Sequence, residues 1–67
     1  MNKKCLARKR LEWLEEIVGK YEKGEIDINV LEKLGRLVDT EIKDAKSAVA
    51  FSVKFGMVKF CEEQYTD

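Results

Sequence analysis

The stretch Lys20-Tyr21-Glu22-Lys23-Gly24-Glu25-Ile26-Asp27-Ile28-Asn29-Val30-Leu31-Glu32 decides how this chain is divided. Lys20 and Lys23 are placed for the last turn of a helix, where cations meet the negative end of the dipole. Gly24 follows, a residue able to take the left-handed conformation that ends a helix. A start signal comes at once. Asp27 can cap a second helix with Ile26 and Leu31 as a hydrophobic staple, or Asn29 can cap it with Glu32 as its partner in a capping box. Either choice leaves a connection of only a few residues, and connections that short favour antiparallel neighbours.

Upstream of this junction Ala7, Leu11, Leu14, Val18 and Tyr21 recur at spacings of three and four, which predicts a first helix over residues 3–23. Leu6, Trp13 and Ile17 widen that stripe to about half the circumference, at about 100° per residue. A single neighbouring helix cannot bury so wide an arc, so this element is expected to contact at least two others. Glu16 and Lys20 are read as a pair on its solvent face.

Downstream, Leu31, Leu34, Val38, Ile42, Ala45, Val49, Ser52, Gly56 and Phe60 keep one line of helical spacings. They predict a second helix ending near Glu63, about 50 Å long against about 30 Å for the first. One segment also carries the other periodicity. Val49, Phe51, Val53, Phe55 and Met57 alternate with Ala50, Ser52, Lys54 and Gly56, as a half-buried strand would. Such a strand could pair only across a dimer axis. As a helix, the same segment sets Ala45, Ala48, Ser52 and Gly56 on a narrow small-residue face and Phe51, Phe55 and Val58 on another. The helical reading is preferred.

The fold expected is therefore all-α, with residues 1–67 as one domain. Its form is an antiparallel helical hairpin, with a short first helix and a long second one, associating as a dimeric four-helix bundle. A chain of 67 residues buries only about 60% of its unfolded surface, and the overhang of the longer helix needs cover. The side chains expected at the oligomer or partner interface are Trp13, Ile17, Val49, Phe51, Val53, Phe55, Val58 and Phe60.

The inventory leaves little room for chemistry. Histidine is absent, and with it the commonest general base and transition-metal ligand; the two cysteines, Cys5 and Cys61, cannot complete a tetrahedral zinc site within one chain. Gly19, Gly24, Gly35 and Gly56 are scattered and form no phosphate-binding loop. Glu12, Glu15 and Glu16 read as a solvated helix face. No catalytic residue, metal ligand or cofactor site is expected, and the protein is not expected to be an enzyme. With no signal-peptide pattern, both cysteines are expected as free thiols in a cytoplasmic protein. The stretch 45–61 carries Lys46, Lys54 and Lys59 and falls short of the about 20 apolar residues that span a bilayer, so no membrane association is expected.

Formal charge sums to zero but is unevenly spread. Lys3, Lys4, Arg8, Lys9 and Arg10 precede any acid, carboxylates dominate from Glu12 to Glu32, and the tail carries Glu62, Glu63 and Asp67. Both ends of this pattern oppose the helix dipole, so the charges are suited to pairing with each other or with a partner. The five basic residues are the candidate nucleic-acid contacts. Lys4, Arg8 and Lys9 point in well-separated directions, however, and nucleic-acid binders usually carry net positive charge.

Leu11, Glu12, Leu14, Glu15, Ile17, Val18, Tyr21, Glu22, Gly24, Glu25, Ile26, Ile28 and Leu31 resemble the helical hairpin of the exonuclease VII small subunit. That pattern is a leucine- and glutamate-rich helix, a glycine turn, and alternating aliphatics opening the second helix. The resemblance spans residues 11–31; beyond Leu31 the leucines and glycine fall out of step, and residues 48–60 have no counterpart. It implies a non-catalytic subunit that clamps a larger nuclease chain, with no active-site residues to carry over. The function expected from the residues themselves is a small non-catalytic protein-protein interaction or adaptor protein, whose partners are itself and another protein. A nucleic-acid-binding regulator using the basic arm is one alternative, and an accessory nuclease subunit is the other.

Overall fold

The computed structural model describes the backbone of residues 3–61 and the side chains of residues 5–61. These form three α-helices, α1 (Lys3–Glu22), α2 (Ile28–Arg36) and α3 (Ala45–Lys54), with a π-helical turn (Leu37–Glu41) continuing α2 and no strand among the described residues. The fold is all-α, with principal extents of 37 × 19 × 18 Å.

Helix α1 stops where the lysines and glycine predict. Gly24 has φ 77°, the Glu25 N–H donates to the Lys20 carbonyl at 2.9 Å, and the Gly24 N–H donates to that of Tyr21 at 3.0 Å. This pair of bonds satisfies carbonyls left over at the helix end. A Cβ at position 24 would meet nothing within 4 Å, so the cost of adding one is conformational. Gly24→Ala is expected to destabilise by about 1 kcal/mol and Gly24→Asn by less, because asparagine tolerates this conformation better. Equal denaturant midpoints for all three would contradict that account. Of the two predicted caps for α2 the structure uses Asp27, whose carboxylate accepts from the Val30 N–H at 2.9 Å.

The long second helix does not form. After α2 the backbone widens into the π turn, where the Ile42 N–H donates to the Leu37 carbonyl at 3.2 Å and Thr40 Oγ1 donates to the Arg36 carbonyl at 2.7 Å. Ile42 then leaves helical space at φ −88°, ψ 100°. The local cause lies two residues on. Asp44 accepts from the Ser47 N–H at 2.8 Å, while Ser47 Oγ accepts from the Asp44 N–H at 3.3 Å, a reciprocal cap that starts α3 anew. Arg10 of α1 donates from its guanidinium to the Ile42 carbonyl at the break.

The Ser47 N–H bond, then the Ser47 hydroxyl, holds the Asp44 carboxyl below its ordinary range, against a smaller opposing desolvation. A depressed folded-state pKa contributes stability that is present above the unfolded pKa and lost as pH falls through the folded one. Asp44→Ala is accordingly expected to lower the thermal midpoint near neutral pH. The difference should shrink once the pH drops below the ordinary carboxylate range. A gap between parent and variant that persists in strong acid would rule out the charged cap as its source.

Helix α3 ends at Lys54, short of Glu63, which lies outside the described residues. Gly56, expected on the small-residue face of a continuing helix, is instead the stop. Its φ is 63°, and the Met57 N–H reaches back to the Ser52 carbonyl at 3.0 Å. Residues 57–61 return irregularly along α1. The alternation in residues 49–57 thus belongs to no strand. It is split between the second half of α3 and the segment that follows.

The core gathers Leu6, Trp13 and Ile17 from α1, Leu34, Val38 and Ile42 from α2 and the turn, Ala45, Ala48 and Phe51 from α3, and Met57 and Phe60 from the last segment. Trp13 is fully buried, with ring centroids 5.0 Å from Phe51 and 6.3 Å from Phe60. Its indole N–H donates to the Val58 carbonyl at 2.8 Å, and the Val58 N–H donates to Glu16 Oε2 at 3.1 Å. Glu16 therefore serves the tertiary fold and not the solvent-face pairing with Lys20 read from the sequence. The break also resets the helical phase: Ala45, Ala48, Phe51 and Ser52 of α3 face inward while Val49 and Val53 face out.

Candidate interaction surface

An outward apolar line lies on α1, and it is the stripe that the sequence marks most regularly. Leu6, Lys9, Trp13 and Ile17 share the buried arc of α1. Ala7, Leu11, Val18 and Tyr21 are exposed, with Leu14 half-buried between the two sets and packed on the core. Leu11 is 62% exposed. The residues expected merely to widen the stripe thus form its buried part, and most of the stripe itself is left uncovered. Trp13 presents the largest apolar area on the helix, and a rotation that buries it among Phe51 and Phe60 turns Leu11 about 160° away.

The exposed line has a definite period. Ala7, Leu11, Leu14, Val18 and Tyr21 alternate spacings of four and three, a seven-residue repeat suited to packing against one further helix. Its outer edge carries Arg8, Glu15 and Glu22, all exposed. Its inner edge carries Arg10 and Ile17, both committed to their own chain.

The residues expected at an interface divide in two. Trp13, Ile17, Phe51 and Phe60 are core side chains of a single chain, which corrects their assignment to a partner contact: they bury one another. Phe55 is half-buried, with its ring centroid 5.1 Å from that of Phe51 and Lys54 Nζ 5.5 Å from its own. Val49, Val53 and Val58 remain outward, and Val49 and Val53 lie one turn apart on α3.

The basic arm is not one surface. Lys9 is 2% exposed, with Nζ 2.6 Å from Glu12 Oε2, and Arg10 turns inward to Ile42. This corrects their reading as nucleic-acid contacts; the stems run along the core and the charged heads are paired or hydrogen-bonded there. Arg8 is exposed, and the side chains of Lys3 and Lys4 lie outside those described. Two of the clustered carboxylates, Glu12 and Glu16, are engaged by Lys9 and by the Val58 N–H.

Among the described residues no group of three or more Cys, Asp or Glu could hold a metal ion. No described helix is long and apolar enough to cross a membrane. Cys5 and Cys61 are half-buried free thiols. The interruption of the helix leaves an open cleft between the π turn and α3, lined by residues that include Leu37, Glu41, Ile42, Phe51, Lys54 and Phe55. No family model, curated protein or solved structure matches this chain.

Proposed function

We propose that the protein is a small non-catalytic interaction protein that takes partner helices on the outer face of α1 and works as a homo-oligomeric helical bundle. The observation that supports this most directly is the seven-residue apolar repeat on α1, of which Ala7, Leu11, Val18 and Tyr21 are left outward, with Leu11 at 62% exposure. The simplest bundle is a dimer in which α1 and α2 of two chains make the four helices, an antiparallel hairpin from each. An adaptor role toward a second protein follows where the outward valines of α3 serve as a further contact. Sedimentation equilibrium tests the reading: the purified chain is expected as a dimer or larger at micromolar concentration. A folded monomer under those conditions would remove it.

The nucleic-acid alternative rests on Arg8 with Lys3 and Lys4, since Lys9 and Arg10 are used within the fold. It requires an affinity that falls steeply with salt, whereas helix packing through apolar side chains responds weakly. The accessory-subunit alternative draws on residues 11–31, which run through α1, its glycine stop and the start of α2. Under that reading the outer line of α1 would meet a larger chain.

A further inference from the structure

We propose that the outer line of α1 is a self-recognition seam. It pairs antiparallel with the same line of a second copy, and Arg8 of each chain faces Glu15 of the other. This rests on the bundle reading above and adds to it the helix, the direction and the charges that select the partner.

The apolar line calls for a single helix as its occupant. Its repeat averages 3.5 residues and is held through two heptads, the spacing of a seam packed against one neighbouring helix. The charges choose that neighbour and its direction. Along the outer edge the sign changes from Arg8 to Glu15 and Glu22, all exposed, so the edge is complementary to itself when reversed. With two copies of Lys3–Glu22 overlapped end to end, Leu11 lies against Leu14 of the second copy and Ala7 against its Val18. In that register Arg8 lies opposite Glu15 of the second copy, and the symmetric contact repeats it.

A parallel pair fails on two counts. It would set the basic half of α1 beside the basic half of its copy. It would also press the outer edge of one helix against the edge carrying Arg10 and Ile17, which are already held by their own chain. Antiparallel pairing lays outer edge on outer edge and leaves both inner edges on the same side, where the two chain bodies meet. It also relieves a mismatch at one end: the basic start of α1 opposes its own dipole, and in the antiparallel pair it lies beside the negative end of the copy's dipole.

The test is a charge exchange read by sedimentation equilibrium on the full chain, with helical content checked by circular dichroism. Arg8→Glu and Glu15→Arg, made singly, place like charges at both symmetric contacts and should each weaken the dimer about tenfold. The double variant Arg8→Glu/Glu15→Arg should return to within about threefold of the parent, and added salt should shrink all these differences. Leu11→Glu should abolish the dimer with helical content retained. A parent dimer that Leu11→Glu leaves intact, or single variants that the double does not rescue, would overturn the seam while leaving the bundle reading in place. A parent that is a folded monomer at micromolar concentration, an affinity weaker than about 8 kcal/mol, would overturn both.

Discussion

Trp13→Ala is expected to leave the chain largely unfolded at room temperature. The indole is fully buried, touches the rings of Phe51 and Phe60, and holds the Val58 carbonyl through its N–H. Truncating a buried tryptophan typically costs about 3–5 kcal/mol, and a single core in a domain below about 70 residues rarely supplies more than about 3–5 kcal/mol in total. Trp13→Phe separates the two contributions, because it keeps a ring among the aromatics but removes the donor to Val58, at a net cost for that bond of about 1 kcal/mol. Denaturant melts followed by circular dichroism should therefore rank parent, Trp13→Phe and Trp13→Ala in that order. An alanine variant with the parent's midpoint would mean that residues 57–61 do not rest on α1 in solution.

The second large effect is a contrast between neighbours on α3. Phe51→Glu puts a carboxylate into the aromatic cluster without a partner, and a buried unpaired charge is among the costliest single changes a core can receive. Loss of cooperative melting is expected. Val53→Glu, two residues on and 68% exposed, should change stability by less than about 0.5 kcal/mol. Had Phe51 been an intersubunit residue, as its sequence context suggests, the glutamate would dissociate subunits and leave each chain folded. Thermal melts of the two variants at equal concentration distinguish these outcomes: a folded Phe51→Glu monomer would argue against the core placement.

These contrasts mark how far the sequence could be read. Gly24, Asp27 and the extent of α1 were legible because each depends on residues no more than about five positions apart, through a left-handed turn, a side-chain cap or a helical repeat. The break before α3 and the stop after it were written just as locally, in Asp44 with Ser47 and in Gly56, but an unbroken apolar line from Leu31 to Phe60 masked both. Hydrophobic spacing can run through a point where the backbone does not. Once the helix stops, the phase of the following residues is free to reset, which is why Val49 turns outward and Phe51 inward.

The candidate surface divides along the same physical boundary. The sequence alone determined that the chain is helical, where the first helix ends, and that a seven-residue apolar repeat runs along it. It could not determine which part of the apolar arc of α1 would be covered, because an arc of about half the circumference satisfies a neighbour on either flank. The tertiary structure decided that by bringing Phe51 and Phe60 onto Trp13 and turning Arg10 to the Ile42 carbonyl, contacts between residues far apart in the chain. One helix has a single rotation about its axis, so burying the tryptophan flank necessarily turned Leu11 toward solvent.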